Sequence, residues 1–172
     1  MALCTPGNPK LTGRIGDFLF GNMSKLLTVV LNAASISGDI PQDIAKLRNL
    51  QNFLGSTMHG DGFTGRLPDN IGNMTELRLL SLGGNNLTGQ IPRSISRLTK
   101  LYYLDLRNTP GMMHGHLSDL FSISSLQFLL VSGVKLIGQM PSMLPANLDI
   151  LVFLVTVFRA NFLKKCRKVT NL

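Results

Sequence analysis

The sequence predicts an α/β solenoid built from short strand-and-turn units, and three observations lead to that fold class. Apolar residues make up 44% of the 172 residues and charged residues only 15%, which suits a continuous core with many turns. A leucine-rich pattern with the alternation of a half-buried strand recurs along the chain. A glycine also recurs, in steps of 25, 27, 24, 26 and 23 residues, at Gly13, Gly38, Gly65, Gly89, Gly115 and Gly138. Repeats of this length bury their apolar faces by stacking on one another.

Each repeat is predicted to contribute one short strand to a parallel sheet. The pattern Leu-x-x-Leu-x-Leu is most regular at Leu77, Leu80 and Leu82. Residues 50–55 form a damaged copy, in which Gly55 stands at the last leucine position. Further copies start at Leu26, Leu101 and Leu126.

A turn and a short 3₁₀ or helical segment are predicted after each strand. The motif Gly-x-(Ile/Leu/Met)-Pro occurs at residues 38–41, 65–68, 89–92 and 138–141. Glycine permits a backbone bend that a side chain resists, and proline fixes φ at the start of the next segment. In the copy after Pro92, that segment is expected to bury Ile95 and Leu98.

Taken together, these positions read Leu-x-x-Leu-x-Leu-x-x-Asn-x-Leu-x-Gly-x-Ile-Pro, which resembles the plant-specific leucine-rich repeat. The best copy is LRLLSLGGNNLTGQIPRSISRL, residues 77–98, and the resemblance covers roughly residues 8–147. It implies a right-handed superhelix with a parallel concave β-sheet and short 3₁₀ or helical convex segments. It also implies a further strand around the Leu-x-Gly-x-Ile stretch.

Three regions are predicted along the chain. Residues 1–25 are interpreted as a partial N-terminal repeat without a cap, and 26–147 as five repeats. Residues 148–172 are interpreted as a degenerate terminal repeat with a basic tail. The alternatives are a tail outside the repeat pattern, created by truncation, and the remains of a membrane-proximal segment. The longest apolar run, residues 150–158, is shorter than the roughly 20 residues of a membrane span. We therefore expect no membrane span and no export signal within these residues, and we interpret them as a piece of a larger solenoid.

The asparagine that follows each strand in this repeat class bonds to backbone in the neighbouring turn. Only Asn85 keeps this structural ladder position, and Ala34, Asp61 and Val134 replace it elsewhere. Because absent asparagines leave backbone groups to find other partners, we expect a stack less stable than is usual for the class.

The candidate binding site lies on the predicted concave face. Residues beside the strand leucines form rows there, and Tyr and Arg are enriched in binding hot spots. An apolar patch is expected towards the C-terminus, and the alternative is an ordinary strand surface with a local Asp–Arg pair. The predicted binding residues are Tyr103, Asp105, Arg107, Phe128 and Leu130, and the patch adds Ile150, Val152 and Leu154.

Other sites are few. Asn-x-Ser/Thr sequons at Asn22, Asn73 and Asn86 are candidates for glycosylation. His114 and His116 are spaced like a metal pair, but no third acidic or thiol ligand accompanies them, so no metal and no cofactor are predicted. The net charge of +8 comes largely from a basic run in residues 159–168, which we interpret as a solvated tail with no nucleic-acid partner.

The function that the resemblance implies is recognition. The chain resembles the ectodomain of plant leucine-rich-repeat receptor-like kinases and receptor-like proteins, whose partners are protein or peptide ligands and co-receptors. Their location implies the plasma membrane or the extracellular space. The alternative is an enzyme inhibitor resembling polygalacturonase-inhibiting proteins, although the concave rows carry only Asp105 and Arg107 as charges. An enzyme is not predicted, because no catalytic constellation stands out.

Overall fold

The computed structural model describes residues 1–4, 12–17, 20–31, 35–57, 62–109, 113–142 and 144–152. Most of its strands are three residues long, as expected when each repeat contributes one rung. In chain order the strands are β1 (Ala2–Cys4), β2 (Thr12–Arg14), β3 (Thr28–Val30), β4 (Ser35–Asp39), β5 (Asn52–Leu54), β6 (Phe63–Thr64), β7 (Leu79–Ser81), β8 (Tyr103–Asp105), β9 (His114–His116), β10 (Phe128–Leu130), β11 (Lys135–Ile137) and β12 (Ile150–Val152).

Seven of these strands form the main sheet, in the order β1-β3-β5-β7-β8-β10-β12. Every pairing is parallel, and the register advances by one repeat per strand. Tyr103, for example, lies between Leu79 on β7 and Phe128 on β10. Parallel neighbours need a long crossover, and the remainder of each repeat supplies it. The predicted α/β solenoid is therefore confirmed.

One hydrophobic core runs through the described repeats. The central residue of each strand enters it, and Leu80, Leu104 and Leu129 are fully buried. The opposite wall comes from the segments after the prolines, where Ile95 and Leu98 are fully buried, as predicted. These repeats thus close their core between one strand and one short helical segment.

Short helical segments line the side opposite the main sheet. Gly72 allows two of them to approach, because a Cβ there would lie 2.1 Å from the Ser94 carbonyl oxygen. The Ser94 hydroxyl donates to the Asp69 carbonyl at 2.7 Å and so ties the two repeats together. The segments are the 3₁₀ turns Ile15–Asp17, Phe20–Asn22, Gln42–Lys46, Ile71–Asn73 and Arg93–Arg97, and the helix α1 (Leu117–Phe121).

Flanking strands follow the turn of the repeats, as the resemblance implied. They form the sheets β2-β4-β6 and β11-β9, joined in the described residues by single bridges at Arg66–Thr88 and Gln90–His114. The repeated glycine has two roles here. Gly65 takes φ of +68°, a left-handed conformation that disfavours a side chain. The Asp39 carboxylate also lies so close over Gly65 that a Cβ would be 2.6 Å from its carbon.

A second series of inter-repeat bonds lies just before the strands and was not predicted. The residue preceding the first strand leucine donates from its side chain to a carbonyl of the previous repeat. Asn49 donates to Ser24 O at 2.9 Å, and Ser125 donates to Leu101 O at 2.7 Å. At the same position, Lys100 pairs with Glu76 at 2.6 Å. These bonds tie neighbouring rungs at a turn where the ladder asparagine does not reach.

The N-terminal residues contribute a strand to the main sheet. β1 pairs in parallel with β3 and adds a rung before the first leucine pattern. Leu3 packs against the core. The strand lacks the leucine pattern and was therefore not predicted. The three predicted regions remain predictions, and Ala34, Asp61 and the tail at 153–172, including Leu154, lie outside the described residues.

Asn108 adopts a left-handed backbone conformation, and two other repeats have glycine at the equivalent position. Its φ is +52°, and the equivalent Gly84 and Gly133 have φ of +78° and +86°. We expect Asn108→Val to lower the free energy of unfolding by about 1–2 kcal/mol, the cost of this conformation for an ordinary side chain. Asn108→Gly is the matched control and should leave stability unchanged or raise it slightly. Urea denaturation of both variants measures this, and equal stabilities for valine and glycine would contradict it.

Candidate functional site

The concave face of the main sheet places the predicted binding residues together. Tyr103 on β8 and Phe128 on β10 are register neighbours, and their ring centroids lie 5.8 Å apart with a tilt of 38°. Ile150 follows Phe128 on β12 and is 37% exposed. Because alternate residues of a strand face opposite sides, the intervening Leu104 and Leu129 enter the core. An aromatic pair beside an exposed aliphatic side chain is thus fixed on the open side of the sheet.

Asp105 and Arg107 form the charged part of the site. Arg107 donates from Nε to Asp105 Oδ1 and from Nη2 to Oδ2, both at 3.0 Å. The Arg107 backbone N–H adds a third bond to Oδ1, also at 3.0 Å. The Asp105 side chain is 7% exposed, whereas that of Arg107 is 43% exposed. The buried carboxylate therefore fixes a guanidinium whose outer edge remains available to solvent.

The protonation states of the cluster follow from this packing. Burial raises the pKa of the Tyr103 phenol above its ordinary value, the Asp105 charge raises it further, and Arg107 opposes them. The hydrogen bond to Asp105 raises the pKa of Arg107. At physiological pH, Tyr103 therefore presents a neutral hydroxyl beside a permanent positive charge. We name Tyr103, Asp105, Arg107 and Phe128 the concave cluster.

Leu130 corrects the predicted site. It lies outside the hydrophobic core cluster, in register with Asp105, yet it is only 8% exposed. Strands in a sheet lie roughly 4.8 Å apart, so neighbouring side chains in one row cover each other. Ser81, in the same row, is also 8% exposed. The row is therefore closed at Ser81, Asp105 and Leu130, and Leu130 is not a free contact residue.

Two residues that lie just before the strands also neighbour the site, and they were not predicted. Arg78 is exposed and Tyr102 is half-buried, one residue ahead of the predicted row. Their backbones link the rungs, because the Tyr102 N–H donates to Arg78 O at 2.9 Å. These residues could have been predicted, because they occupy the first variable position of the leucine pattern. In the copy that starts at Leu101, this position brings Tyr102 next to Tyr103.

The other predicted sites have clear positions. Asn85 is fully buried, and its side chain bonds to the backbone of the preceding repeat at Phe63 N and Gly55 O. Thr109, at the equivalent position one repeat later, is also buried, and its hydroxyl donates to Leu106 O at 3.3 Å. His114 and His116 lie on β9, and the described residues hold no group of three or more metal-ligating side chains. In the same part of the chain, no helix is both long and apolar enough to cross a bilayer.

Comparison with known families and sequences gives a short match. The family described as Leucine Rich Repeat matches residues 76–98, almost the same stretch as the best copy of the repeat. No curated protein sequence matches the chain.

Solved structures resemble the chain over a much longer stretch. The ectodomain of the plant membrane receptor kinase GASSHO1/SCHENGEN3 from Arabidopsis thaliana, in complex with CASPARIAN STRIP INTEGRITY FACTOR 2, is 27% identical with a TM-score of 0.67 over 79% of this chain. The Arabidopsis receptor kinase HAESA, in complex with the peptide hormone IDA and the co-receptor SERK1, is 25% identical with a TM-score of 0.58 over 71%. The chain spans 16% and 24% of those two structures.

A third structure shows the same fold at lower identity. It is the ectodomain of the receptor kinase SOBIR1 from Arabidopsis thaliana, which is 23% identical with a TM-score of 0.65. The likeness covers 82% of this chain and 72% of that one. Together, these findings confirm the fold and the resemblance to plant leucine-rich-repeat receptor ectodomains.

Proposed function

Taking a leucine-rich-repeat solenoid of the plant receptor-ectodomain type as the premise, we propose that this chain is a non-catalytic scaffold that recognises a protein or peptide. The observation that carries the proposal is the concave cluster, in which Tyr103 and Phe128 stack beside Arg107 and Asp105 holds that arginine in place. The cluster lies on the open side of a parallel sheet. It offers an apolar surface, a hydroxyl and a positive charge to one ligand.

Preorganisation supports recognition. Binding is weakened when long side chains must be ordered, at roughly 0.5–1.5 kcal/mol for each one. Three hydrogen bonds already order Arg107 around the Asp105 carboxylate, and the ring contact orders Tyr103 against Phe128. A ligand would therefore meet side chains that need little further ordering.

The same geometry supports a role without bond chemistry. A carboxylate that serves as a general base must be free to accept a proton from a substrate. Asp105 is instead almost buried, and both of its oxygens accept hydrogen bonds from Arg107. Asp105 therefore holds the Arg107 side chain in place. The cluster is thus suited to binding, and the proposal requires no cofactor.

The partner class follows from the resemblance. The HAESA structure contains a peptide hormone and a co-receptor, and the GASSHO1/SCHENGEN3 structure contains a named factor. We propose a peptide or protein ligand of the same general kind, met outside the cell or at the plasma membrane. An extended peptide suits the concave face, since it can cross several rungs of the parallel sheet.

Peptide selection tests this proposal directly. The 172-residue chain is immobilised and exposed to a displayed library of random 12-residue peptides, and recovered peptides are measured by biolayer interferometry. We expect Tyr103→Ala and Arg107→Ala together to weaken binding by about 30-fold or more, the effect of losing hot-spot residues. Arg93→Ala, an exposed change on a 3₁₀ turn, is the control and should leave binding unchanged.

Two results would count against the concave face as the recognition surface. One is a set of peptides that bind the double variant and the wild type equally. The other is the recovery of no peptide with a Kd below about 100 µM, which is roughly 5 kcal/mol of binding free energy. Matching thermal melts for all variants would ensure that any loss of binding is local.

A further inference from the structure

One row of side chains on the concave face changes from polar to apolar along the sheet. On β3 and β5 it contains Thr28 and Asn52, and the Asn52 amide donates to the Thr28 hydroxyl at 3.1 Å. On the next four strands its members are in register and apolar or aromatic. These four residues are Leu79, Tyr103, Phe128 and Ile150, which we name the apolar stripe. The first three are half-buried, and the last is 37% exposed.

A second row lies one residue ahead of the stripe and has a charge at each end. Backbone hydrogen bonds connect its members from strand to strand. The Arg78 carbonyl accepts the N–H groups of Tyr102 and Tyr103 at 2.9 and 3.2 Å. The Gln127 carbonyl accepts the N–H of Asp149 at 2.9 Å. The row therefore reads Arg78, Tyr102, Gln127 and Asp149, and it begins with a cation and ends with an anion.

The two charges of this row are open to a ligand. Arg78 and Asp149 are both exposed, and neither forms an ion pair within the part of the chain that the structure describes. Lys100, in the turn before Tyr102, is instead neutralised by Glu76 at 2.6 Å. The apolar stripe thus has a positive charge beside its β7 end and a negative charge beside its β12 end.

We propose that this chain selects an extended peptide by its charge order, with an acidic side chain over Arg78, an apolar one over the aromatic pair and a basic one over Asp149. The inference rests on the proposed function and names the chemistry of the ligand at the concave face. Three strand spacings, roughly 14 Å, separate the two charges, and four residues of an extended peptide cover roughly 13 Å. Alternate residues of such a peptide face the same side, so the three side chains belong to residues i, i+2 and i+4.

The middle side chain meets the aromatic part of the stripe. Halfway between the two charges lies the gap between β8 and β10, where the ring centroids of Tyr103 and Phe128 are 5.8 Å apart. An apolar side chain that enters here contacts both rings and leaves water. Apolar burial of this kind supplies affinity, because it removes hydrocarbon surface from solvent. The charges at the two ends then decide which peptides are accepted, since charges at the rim of an interface act mainly on specificity.

The end charges exclude peptides as well as attract them. A basic residue over Arg78, or an acidic residue over Asp149, would bring like charges together and disfavour the wrong partner. The Debye length is roughly 8 Å at physiological salt, so each charge acts mainly at its own end of the stripe. Arg107 lies past the other end of β8 and is held by Asp105, so it stands outside this row.

Charge-pattern libraries test the proposal. Three displayed libraries of 12-residue peptides share a leucine midway between two fixed positions that are four residues apart. These positions are Glu and Lys, Glu and Glu, or Lys and Lys, and all others are random. We expect the wild-type chain to enrich the mixed library about fivefold or more over either like-charged library. The advantage should disappear in about 0.5 M salt, and also when the two fixed positions are three residues apart and face opposite sides.

Single charge reversals should redirect this preference. Arg78→Glu places acidic groups at both ends of the stripe and should favour the Lys–Lys library, whereas Asp149→Lys should favour the Glu–Glu library. The double variant again has one charge of each sign. Because a peptide can cross the sheet in either direction, the double variant should return to the mixed library. Arg93→Glu and Asp69→Lys are the matched controls, exposed on the side opposite the main sheet, and should keep the wild-type preference.

Equal recovery of the three libraries by the wild-type chain would overturn the charge order, as would a preference that the reversals leave unchanged. If peptide binding is then still lost in the Tyr103→Ala and Arg107→Ala double variant, recognition by the concave face stands without the charge order. Recovery of no binder from these libraries or from the fully random one overturns both. Thermal melts of each variant check that a changed preference does not come from unfolding.

Discussion

Replacing Asn85 with alanine is expected to lower the free energy of unfolding by about 3–5 kcal/mol, since several buried polar groups lose their partner at once. The Asn85 Oδ1 accepts the Phe63 N–H at 2.8 Å. Its Nδ2 donates at 2.8 Å to both Gly55 O and Leu82 O. Alanine cannot bond to any of them, and the side-chain volume that it vacates is fully buried.

Urea denaturation measures the effect, and Asn86→Ala supplies the matched control. Asn86 is the next residue and has the same side chain, but it is exposed, so its replacement should change the free energy of unfolding by no more than about 0.5 kcal/mol. If Asn85→Ala lost less than about 1 kcal/mol, the ladder bond would not be the main support of this turn.

Restoring the leucine consensus at position 55 is expected to destabilise the protein by about 3 kcal/mol, the upper end for overpacking a core. Gly55 stands at the last leucine position of β5's repeat, and the Phe63 ring fills the space. A Cβ on Gly55 would lie 2.3 Å from Phe63 Cε2. The ring is buried and also contacts Phe53, with centroids 6.1 Å apart. A leucine at position 55 would therefore have to displace a packed, buried ring.

A double-mutant cycle separates this compensation from a general intolerance of leucine. Phe63→Leu alone should destabilise the protein, because it opens a cavity beside Gly55. Combined with Gly55→Leu, it should recover much of the loss, with a coupling of about 2–3 kcal/mol. Additive losses in the double variant would disprove the proposed exchange of volume between the two positions. Chemical denaturation of all four proteins provides the measurement.

Sequence reasoning succeeded where a pattern acts locally. The leucines of β7, β8 and β10 were predicted because alternation alone decides which residues enter the core. The ladder role of Asn85 and the flanking strands were implied by the resemblance to the plant-specific repeat. The positions that carry this resemblance are a few residues apart, so one sequence is enough to recognise it.

The missed features depend on residues that are distant in sequence. Gly55 was interpreted as damage to the repeat, although Phe63 on the next strand fills its place. Leu130 was expected to be exposed on the concave face. Its burial is decided by side chains on the two neighbouring strands, which the pattern of its own repeat does not show. The strand β1 lacks the leucine pattern, and its place in the sheet follows from its pairing with β3.

The strict parallel register of the main sheet sets a length rule for an extended ligand laid across it. Strands repeat roughly every 4.8 Å, while an extended peptide advances roughly 3.3 Å per residue and shows every second side chain on one face. The two spacings nearly coincide when three strand gaps, about 14 Å, meet four peptide residues, about 13 Å. Three gaps from Tyr103 lead to Thr28 on β3. If one peptide side chain lies directly over Tyr103, the side chain four residues away therefore lies over Thr28. At the strands in between, no peptide side chain of that face lies directly over a strand residue.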